Sequence, residues 1–295
     1  GVPITNSNFL PSLFSQIDKF YKKKKDLVFV DFHDLSFVIS LNILMPCVFL
    51  RSIVVPAINN FDIIFPHEHV IRNKVNVLIS VPSFMNQFRT ILDHKSRIFK
   101  KFKILIMCGE TFHFNILDFI IKKFPKSDIY NCYGSTELSP WVFSYKFKKK
   151  DLKIIKNSQL LPIGKKFNFA KFKIDLEKNL LISGPSVVKG YLNRKSNFEK
   201  FVKIGKSIWY KTGDLAEKKN SLVFIRGRKD YQVKIHGYRV DLLDVESTLR
   251  LNKNVINTYI YIKNKNSYNK QIVAVVETSK KIKKNNIFEF LKKRL

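Results

Sequence analysis

Residues 210–246 read YKTGDLAEKKNSLVFIRGRKDYQVKIHGYRVDLLDVE and contain two turns separated by a strand-like segment. Each turn places a glycine near an aspartate, with Asp214 in TGD and Asp230 in GRKD. Glycine lets the backbone approach a ligand closely, and a carboxylate can accept two hydrogen bonds from neighbouring hydroxyls. The pattern therefore predicts a nucleotide-binding site joined to a hinge.

An earlier segment, Tyr133-Gly134-Ser135-Thr136-Glu137, has the same character and follows a strand-like run. The Tyr133 ring can stack on adenine, and Gly134 lets the backbone come close. The Thr136 hydroxyl can bond to a phosphate oxygen, and Glu137 is a hard oxygen ligand suited to Mg²⁺. Taken alone, these five residues could equally form an ordinary turn at a strand end.

Taken together, these segments resemble the adenylate-forming enzymes, which include amino-acid adenylation domains, acyl-CoA synthetases and D-alanine ligases. Tyr210–Asp214 matches their motif Y-x-T-G-D, Gly227–Arg239 matches G-R-x-D-x-Q-V-K-x-x-G-x-R, and Tyr133–Glu137 matches Y-G-x-T-E. The resemblance implies that a carboxylic acid is activated with ATP and Mg²⁺ as an acyl-adenylate. It also implies transfer to a thiol, such as the phosphopantetheine arm of an acyl or peptidyl carrier protein.

The resemblance assigns roles to single residues of the later motifs. Asp214 would hold both ribose hydroxyls, and Arg228 would reach ribose or phosphate with its planar guanidinium group. Asp230 would lie at the hinge between a large and a small domain. Lys234 would belong to the loop that enters the site for the second half-reaction. The catalytic residues implied by the resemblance are Thr136, Glu137 and Lys234, with Glu137 as the metal ligand.

The adenine side of the site is expected around Cys108-Gly109-Glu110, at the end of a strand-like run. The superfamily usually has Gly-Gly-Glu here, so Cys108 departs from the pattern. The nucleotide-binding residues implied by the resemblance are Gly109, Glu110, Tyr133, Gly134, Ser135, Asp214 and Arg228.

The segment FHDLSFVISL resembles the F-D-x-S segment that lines the acyl pocket, with His33 in place of the usual Phe. Asp34 falls where amino-acid-activating members place an aspartate for the substrate ammonium, with which a carboxylate forms a charge-assisted hydrogen bond. This match favours an amino acid as the acid that is activated. Asp34 and Ser36 also precede an apolar helical run, so Asp34 could instead be a helix N-cap. The two interpretations stay open.

Alternating strand and helix patterns predict an α/β fold with mixed and largely parallel sheets, and short later strands predict a β-rich subdomain. We assign residues 1–229 to the later part of the large domain. Residues 230–295 form a small and incomplete α+β lid domain. Gly1–Asn8 resembles the tail of a phosphate loop, and the expected terminal lysine is not found. We therefore expect weak adenylation by this chain alone, and a non-catalytic nucleotide- or partner-binding remnant is the alternative.

The formal net charge is +31, from 54 Lys and Arg against 23 Asp and Glu. Such a charge is typical of proteins that bind nucleic acid or anionic membranes, and it would also attract ATP. Runs of lysine at 22–25, 148–150 and 292–293 are scattered and lack interleaved aromatic residues. This distribution favours a solvated basic surface and no specific nucleic-acid partner. A nucleic-acid binder, the remaining alternative, predicts strongly salt-dependent DNA binding.

Several remaining features bear on location. The apolar run Phe37–Leu50 contains Asn42 and Pro46, so it predicts a buried helix and no membrane span. The three cysteines have no metal-binding spacing, and no signal-peptide pattern is found, which favours the reducing cytoplasm. His67 and His69 alternate in a segment that we expect to be an extended surface loop and no metal site.

Overall fold

Apolar strand-like runs in the first half of the chain form a seven-stranded sheet. The computed structural model describes residues 1–92, 98–192, 197–229, 232–264 and 267–295, and within these residues the strand order is β2-β1-β3-β4-β5-β6-β7. The strands are β1 (Val28–Asp31), β2 (Ile53–Pro56), β3 (Val77–Ser80), β4 (Ile104–Cys108), β5 (Asp128–Gly134), β6 (Trp141–Lys146) and β7 (Lys165–Lys166). Strands β1 to β5 pair in parallel, whereas β6 and β7 pair antiparallel.

Helices connect these strands and cover the sheet. They are α1 (Asn6–Gln16), α2 (Val38–Phe49), α3 (Asn60–Ile64), α4 (Pro66–Arg72), α5 (Pro82–Leu92), α6 (Phe114–Lys123) and α7 (Leu152–Ser158). Helix α6 shows why the sequence folds in this way. Its apolar residues Ile116, Leu117 and Ile120 recur at helical spacing and are buried. Lys122 and Lys123 lie in its last turn, where positive charge is favourable.

The core of this sheet explains why its strands read as continuous apolar runs. Strand β4 reads ILIMC and is buried at every residue, as expected for a parallel strand that is covered on both faces. Phe29, Ile79 and Ile106 pack with Ile43 of α2 in one apolar cluster. Each such buried side chain contributes roughly 1.5–3 kcal/mol.

A second sheet of five antiparallel strands follows within the described residues. Its strands are β8 (Lys171–Ile174), β9 (Asn179–Ser183), β10 (Phe201–Ile204), β11 (Ser207–Lys219) and β12 (Leu222–Arg228), and a short helix α8 (Asn197–Lys200) precedes β10. The order is β10-β11-β9-β8, with β12 paired to β11. The register between β11 and β9 shifts between Lys211 and Leu215. This irregularity contains the T-G-D motif.

The described chain divides into two compact units, Gly1–Gly227 and Arg228–Leu295. The second unit contains β13 (Gln232–Ile235), β14 (Tyr238–Asp241), α9 (Leu242–Arg250), β15 (Val255–Lys263), β16 (Gln271–Thr278) and α10 (Lys284–Lys292). Strands β13 and β14 form a hairpin whose two turn residues, His236 and Gly237, both have positive φ, at 49° and 85°. Positive φ at both positions is the usual geometry of a tight two-residue hairpin turn.

These elements confirm the predicted α/β fold with a β-rich part and a small α+β part. One expectation is wrong: His67 and His69 lie on helix α4 and are 1% and 2% exposed, so they do not belong to an extended surface loop. Tertiary packing buries both imidazoles, and His69 pairs with the buried carboxylate of Asp62. Across the described ranges, we find no helix with the length and apolar character needed to cross a bilayer.

Candidate functional site

A local bulge presents Asp214. Gly213 has φ of 78°, a conformation that glycine adopts without strain, and strand pairing with β9 is interrupted here. Thr212 fixes the bulge, because its Oγ1 donates to the Leu180 carbonyl oxygen at 2.9 Å and accepts from the Asp214 N–H at 3.1 Å. Bulges of this kind often redirect side chains next to functional sites.

Tyr133, at the end of β5, reaches this bulge from the other sheet. Its hydroxyl donates to Asp214 Oδ2 at 2.5 Å, and its ring packs against Phe143 with centroids 6.1 Å apart. Burial and the Asp214 carboxylate raise the pKa of the Tyr133 hydroxyl well above its ordinary value. The phenol therefore remains a hydrogen-bond donor at neutral pH.

Gly134 is required by the packing of its own strand. A Cβ atom at this position would overlap the carbonyl oxygen of Pro140 and would lie 2.9 Å from Cα of Trp141, its partner on β6. Cβ atoms in proteins essentially never lie within 3.0 Å of such atoms, so the backbone would have to shift. The glycine thus allows a turn of the protein's own chain to approach β5, in addition to any approach by a ligand.

Glu137 lies in a short 3₁₀ turn, Thr136–Leu138, and is only 3% exposed. Its Oε1 accepts a hydrogen bond from the Tyr191 hydroxyl at 2.7 Å, and its carbonyl oxygen accepts the Val188 N–H at 3.0 Å. The neighbouring Thr136 is half-buried. Ser135 Oγ is buried, and no residue of the described ranges donates to it or accepts from it. These side chains follow directly after Tyr133 and so lie on the same edge of the sheet.

Gly109 and Glu110 follow β4, the strand beside β5. Gly109 has φ of 79°, and the Glu110 carboxylate accepts both the Ser83 N–H at 2.9 Å and the Ser83 hydroxyl at 3.0 Å. Ser83 lies in the first turn of α5, so Glu110 satisfies a helix N-terminus from an adjacent strand. The structure thus ties Glu110 to helix α5.

Asp34 lies in the turn after β1 and is exposed. Its Oδ1 accepts the Ser36 N–H at 2.8 Å, a bond that lowers the pKa of this carboxyl. The N-cap of α2 is Phe37, and no side chain caps that helix, so the interpretation of Asp34 as an N-cap is wrong. Burial lowers the pKa of the adjacent His33 imidazole.

The second unit contains two of the predicted site residues. Arg228 Nη2 donates to Gln232 Oε1 at 2.9 Å, and Gln232 Nε2 donates to Asp241 Oδ2 at 3.2 Å. Lys234 lies on β13 opposite Arg239 of β14 and is half-buried. Asp230, the predicted hinge residue, lies outside the described residues.

The first 192 residues match the model of the AMP-binding enzyme family. The chain belongs to this family. Two relatives named D-alanine–D-alanyl carrier protein ligase are each 30% identical to this chain. The protein from Bacillus licheniformis is matched over 83% of the chain and 51% of its own length, and that from Lacticaseibacillus casei over 98% and 58%. The chain thus spans about half the length of the curated relatives that it matches.

Solved structures share the fold of this chain. The adenylation domain AlmE of Vibrio cholerae, in complex with glycyl-adenosine-5'-phosphate, has a TM-score of 0.88 at 23% identity and covers 100% of the chain and 58% of its own. An artificially fused adenylation–PCP di-domain from Klebsiella oxytoca has a TM-score of 0.82 at 17% identity, covering 98% and 55%.

Tyr191 contacts Glu137, a predicted site residue, but the sequence motifs assign Tyr191 no role. It belongs to the segment GPSVVKGYLN, which follows β9. Its hydroxyl reaches Glu137 across 54 residues of sequence. The sequence of this segment does not indicate that Tyr191 contacts Glu137.

Proposed function

We propose that the chain is the nucleotide-binding part of a ligase that activates an amino acid with ATP and passes it to a thiol. The observation that carries the proposal is the hydrogen bond between Tyr133 and Asp214, which are 81 residues apart in sequence. It brings the Y-G-S-T-E and T-G-D segments together, as one nucleotide contacting both would require. Membership in the AMP-binding family supports the same conclusion.

In this proposal, the Tyr133 ring stacks on adenine, and the Asp214 carboxylate accepts hydrogen bonds from the ribose hydroxyls. The backbone at Gly109 and Glu110 borders the adenine, while Gly134 and Ser135 complete that edge. The Thr136 hydroxyl donates to a phosphate oxygen. Arg228 is proposed to reach ribose or phosphate.

Glu137 is the proposed ligand for Mg²⁺. Magnesium usually binds one or two carboxylates together with substrate phosphates, and a single carboxylate beside the proposed phosphate position fits that pattern. The Tyr191 hydroxyl holds this carboxylate in place. When bound, Mg²⁺ supplies positive charge that stabilises the developing negative charge on the phosphates.

Asp34 supports an amino acid as the acid that is activated. Its exposed carboxylate is available to pair with a substrate ammonium, and relatives at 30% identity are named for D-alanine. We propose that the substrate carboxylate attacks the α-phosphorus of ATP and that pyrophosphate leaves. A thiol, such as a phosphopantetheine arm on a carrier protein, then attacks the acyl carbon and AMP leaves.

The two predicted domains have separate roles in this scheme. Residues 1–229 correspond to the later part of the large domain, and residues 230–295 to the small lid domain, with Asp230 at the hinge. Lys234 takes part in the second half-reaction. A hinge of this kind needs only a few residues that absorb a change in backbone angles.

Calorimetric titration of the 295-residue chain tests the proposal. The probes are AMP and 5'-O-(D-alanylsulfamoyl)adenosine, a stable analogue of the acyl-adenylate. Asp214→Ala should weaken the binding of both probes. Asp34→Ala should weaken only the aminoacyl analogue, by roughly 10- to 100-fold, because one charge-assisted hydrogen bond is lost.

Asp118→Ala serves as the matched control, because Asp118 is an exposed helical carboxylate that pairs with Lys122. It should change neither affinity. Failure of the unmodified chain to bind AMP would remove the proposed function. Equal affinity of Asp34→Ala and the unmodified chain for the aminoacyl analogue would remove only the assignment of the substrate ammonium site.

A further inference from the structure

We propose that Tyr133 has a second role, as a positioning residue that orients the Asp214 carboxylate for the ribose of a bound nucleotide. The inference rests on the proposed function, in which Asp214 binds ribose. It goes beyond the stacking role of the ring, because it assigns a separate task to the phenol hydroxyl.

The geometry leaves the Asp214 carboxylate little freedom to rotate. The phenol donates to Oδ2 at 2.5 Å, and this bond fixes the torsion that sets the direction of both carboxylate oxygens. The backbone of the same residue is fixed by the bond from its N–H to Thr212 Oγ1 at 3.1 Å. Side chain and backbone are thus held independently of any ligand.

The two anchors belong to different sheets. Tyr133 ends β5 of the seven-stranded sheet, whereas Thr212 and Asp214 lie in the bulge of β11. The phenol has a raised pKa and stays protonated, so it remains a donor to the Asp214 carboxylate at neutral pH. A carboxylate that is oriented before binding loses less conformational entropy when the nucleotide arrives.

Tyr133→Phe separates the two roles, because phenylalanine keeps the stacking ring and removes only the hydroxyl. The dissociation constants of AMP, 2'-deoxy-AMP and 3'-deoxy-AMP are measured by calorimetry for both forms of the chain. The unmodified chain should lose roughly 10-fold in affinity when a ribose hydroxyl is removed. In Tyr133→Phe, AMP should bind roughly 3- to 10-fold more weakly, and the penalty for removing a hydroxyl should shrink.

A purely structural or stacking role predicts a different pattern. If Tyr133→Phe weakens the binding of all three nucleotides by the same factor, or of none of them, the positioning role is wrong. Asp214→Asn provides an independent measurement, made alone and combined with Tyr133→Phe. If the two side chains act together, the double variant should change the affinity lost on removal of a ribose hydroxyl by less than the sum of the two single effects. Additive effects would also overturn the inference.

Tyr145→Phe is the matched control. Tyr145 lies on the adjacent strand β6 and also donates its hydroxyl to a carboxylate, Asp151 Oδ2, at 2.7 Å. Its removal should leave the affinities of all three nucleotides unchanged. If the unmodified chain binds no AMP, the proposed function and this inference fall together. Normal AMP binding with an unchanged hydroxyl penalty in Tyr133→Phe removes this inference alone.

Discussion

The hydroxyl of Tyr191 donates to Oε1 of Glu137 at 2.7 Å, so a turn of the β-rich part supports a carboxylate at the edge of the seven-stranded sheet. A carboxylate that is 3% exposed is stable only if neighbouring groups donate to it. Tyr191→Phe removes one such donor. We expect a loss of roughly 1–2 kcal/mol in the free energy of unfolding, measured in urea.

The same substitution should raise the Mg²⁺ concentration needed for tight ATP binding, if Glu137 is the metal ligand. Tyr259→Phe is the control, since Tyr259 is 66% exposed on β15 of the second unit. An unchanged Mg²⁺ dependence in a destabilised Tyr191→Phe variant would show that the contact serves folding alone.

Gly134→Ala should destabilise the fold, whether or not a ligand is bound. The added methyl group would overlap the Pro140 carbonyl oxygen, which is backbone in the turn before β6 and cannot move away as a flexible side chain could. Overpacking of this kind costs roughly 2–3 kcal/mol, which chemical denaturation would detect. Gly205→Ala is the comparison. Gly205 has φ of 59° and open space around its Cα within the described residues, so strain alone should cost about 1 kcal/mol.

Tyr21→Phe should stabilise the protein. Tyr21 is only 1% exposed, and its hydroxyl is buried. None of the described residues forms a hydrogen bond with this hydroxyl. Removal of a buried hydroxyl without a partner relieves a desolvation cost of about 1 kcal/mol. Tyr145→Phe should have the opposite effect, because its hydroxyl donates to Asp151. Urea denaturation of both variants measures the two changes. Equal destabilisation by both would contradict the expectation.

The same hydroxyl contributes to the dependence of stability on alkaline pH. Burial raises the pKa of Tyr21 well above its ordinary value near 10. The unfolded chain therefore loses this proton first, so stability is full below about pH 10 and falls as pH rises further. Tyr21→Phe should reduce this alkaline loss, as measured by the midpoint of urea denaturation between pH 8 and 11. An identical alkaline loss in the variant would assign it to other groups.

Many of the strands and helices could be predicted because their signals are local, although helix α4 was not. Strand β4 is an unbroken apolar run, and α6 repeats its apolar residues at helical spacing. The T-G-D bulge could be predicted as a turn because it contains Gly213. Periodicity and turn chemistry are properties of neighbouring residues, so a single sequence reveals them.

Contacts between distant segments could not be predicted in this way. The Tyr191–Glu137 bond joins residues whose patterns give no sign of one another. Ser83 likewise engages Glu110, which was expected only to border adenine. The burial of His69 depends on Asp62, seven residues away, and on the helix between them. Tertiary packing decides each of these cases.

Tertiary packing also determines the surroundings of Asp62. This residue is 2% exposed, and hydrogen-bond donors surround its carboxylate. Oδ1 accepts from His69 Nδ1 and from Arg72 Nη2, each at 2.9 Å, while Oδ2 accepts the Ile58 N–H at 3.2 Å. Burial alone would raise the pKa of this carboxyl. The three donors outweigh burial and lower it below the ordinary value.

Asp62→Asn should therefore change how stability depends on acid. A lowered pKa means that the Asp62 contribution is complete above about pH 4, the value in the unfolded chain, and is lost as pH falls through the folded-state pKa. The variant should melt at a lower temperature at pH 7 and show a smaller further decrease between pH 5 and 3, followed by circular dichroism. Asp18→Asn, at an exposed carboxylate paired with Lys22, should leave the acid profile unchanged. Parallel acid profiles for Asp62→Asn and the unmodified chain would mean that the donors around Asp62 do not favour its ionised form.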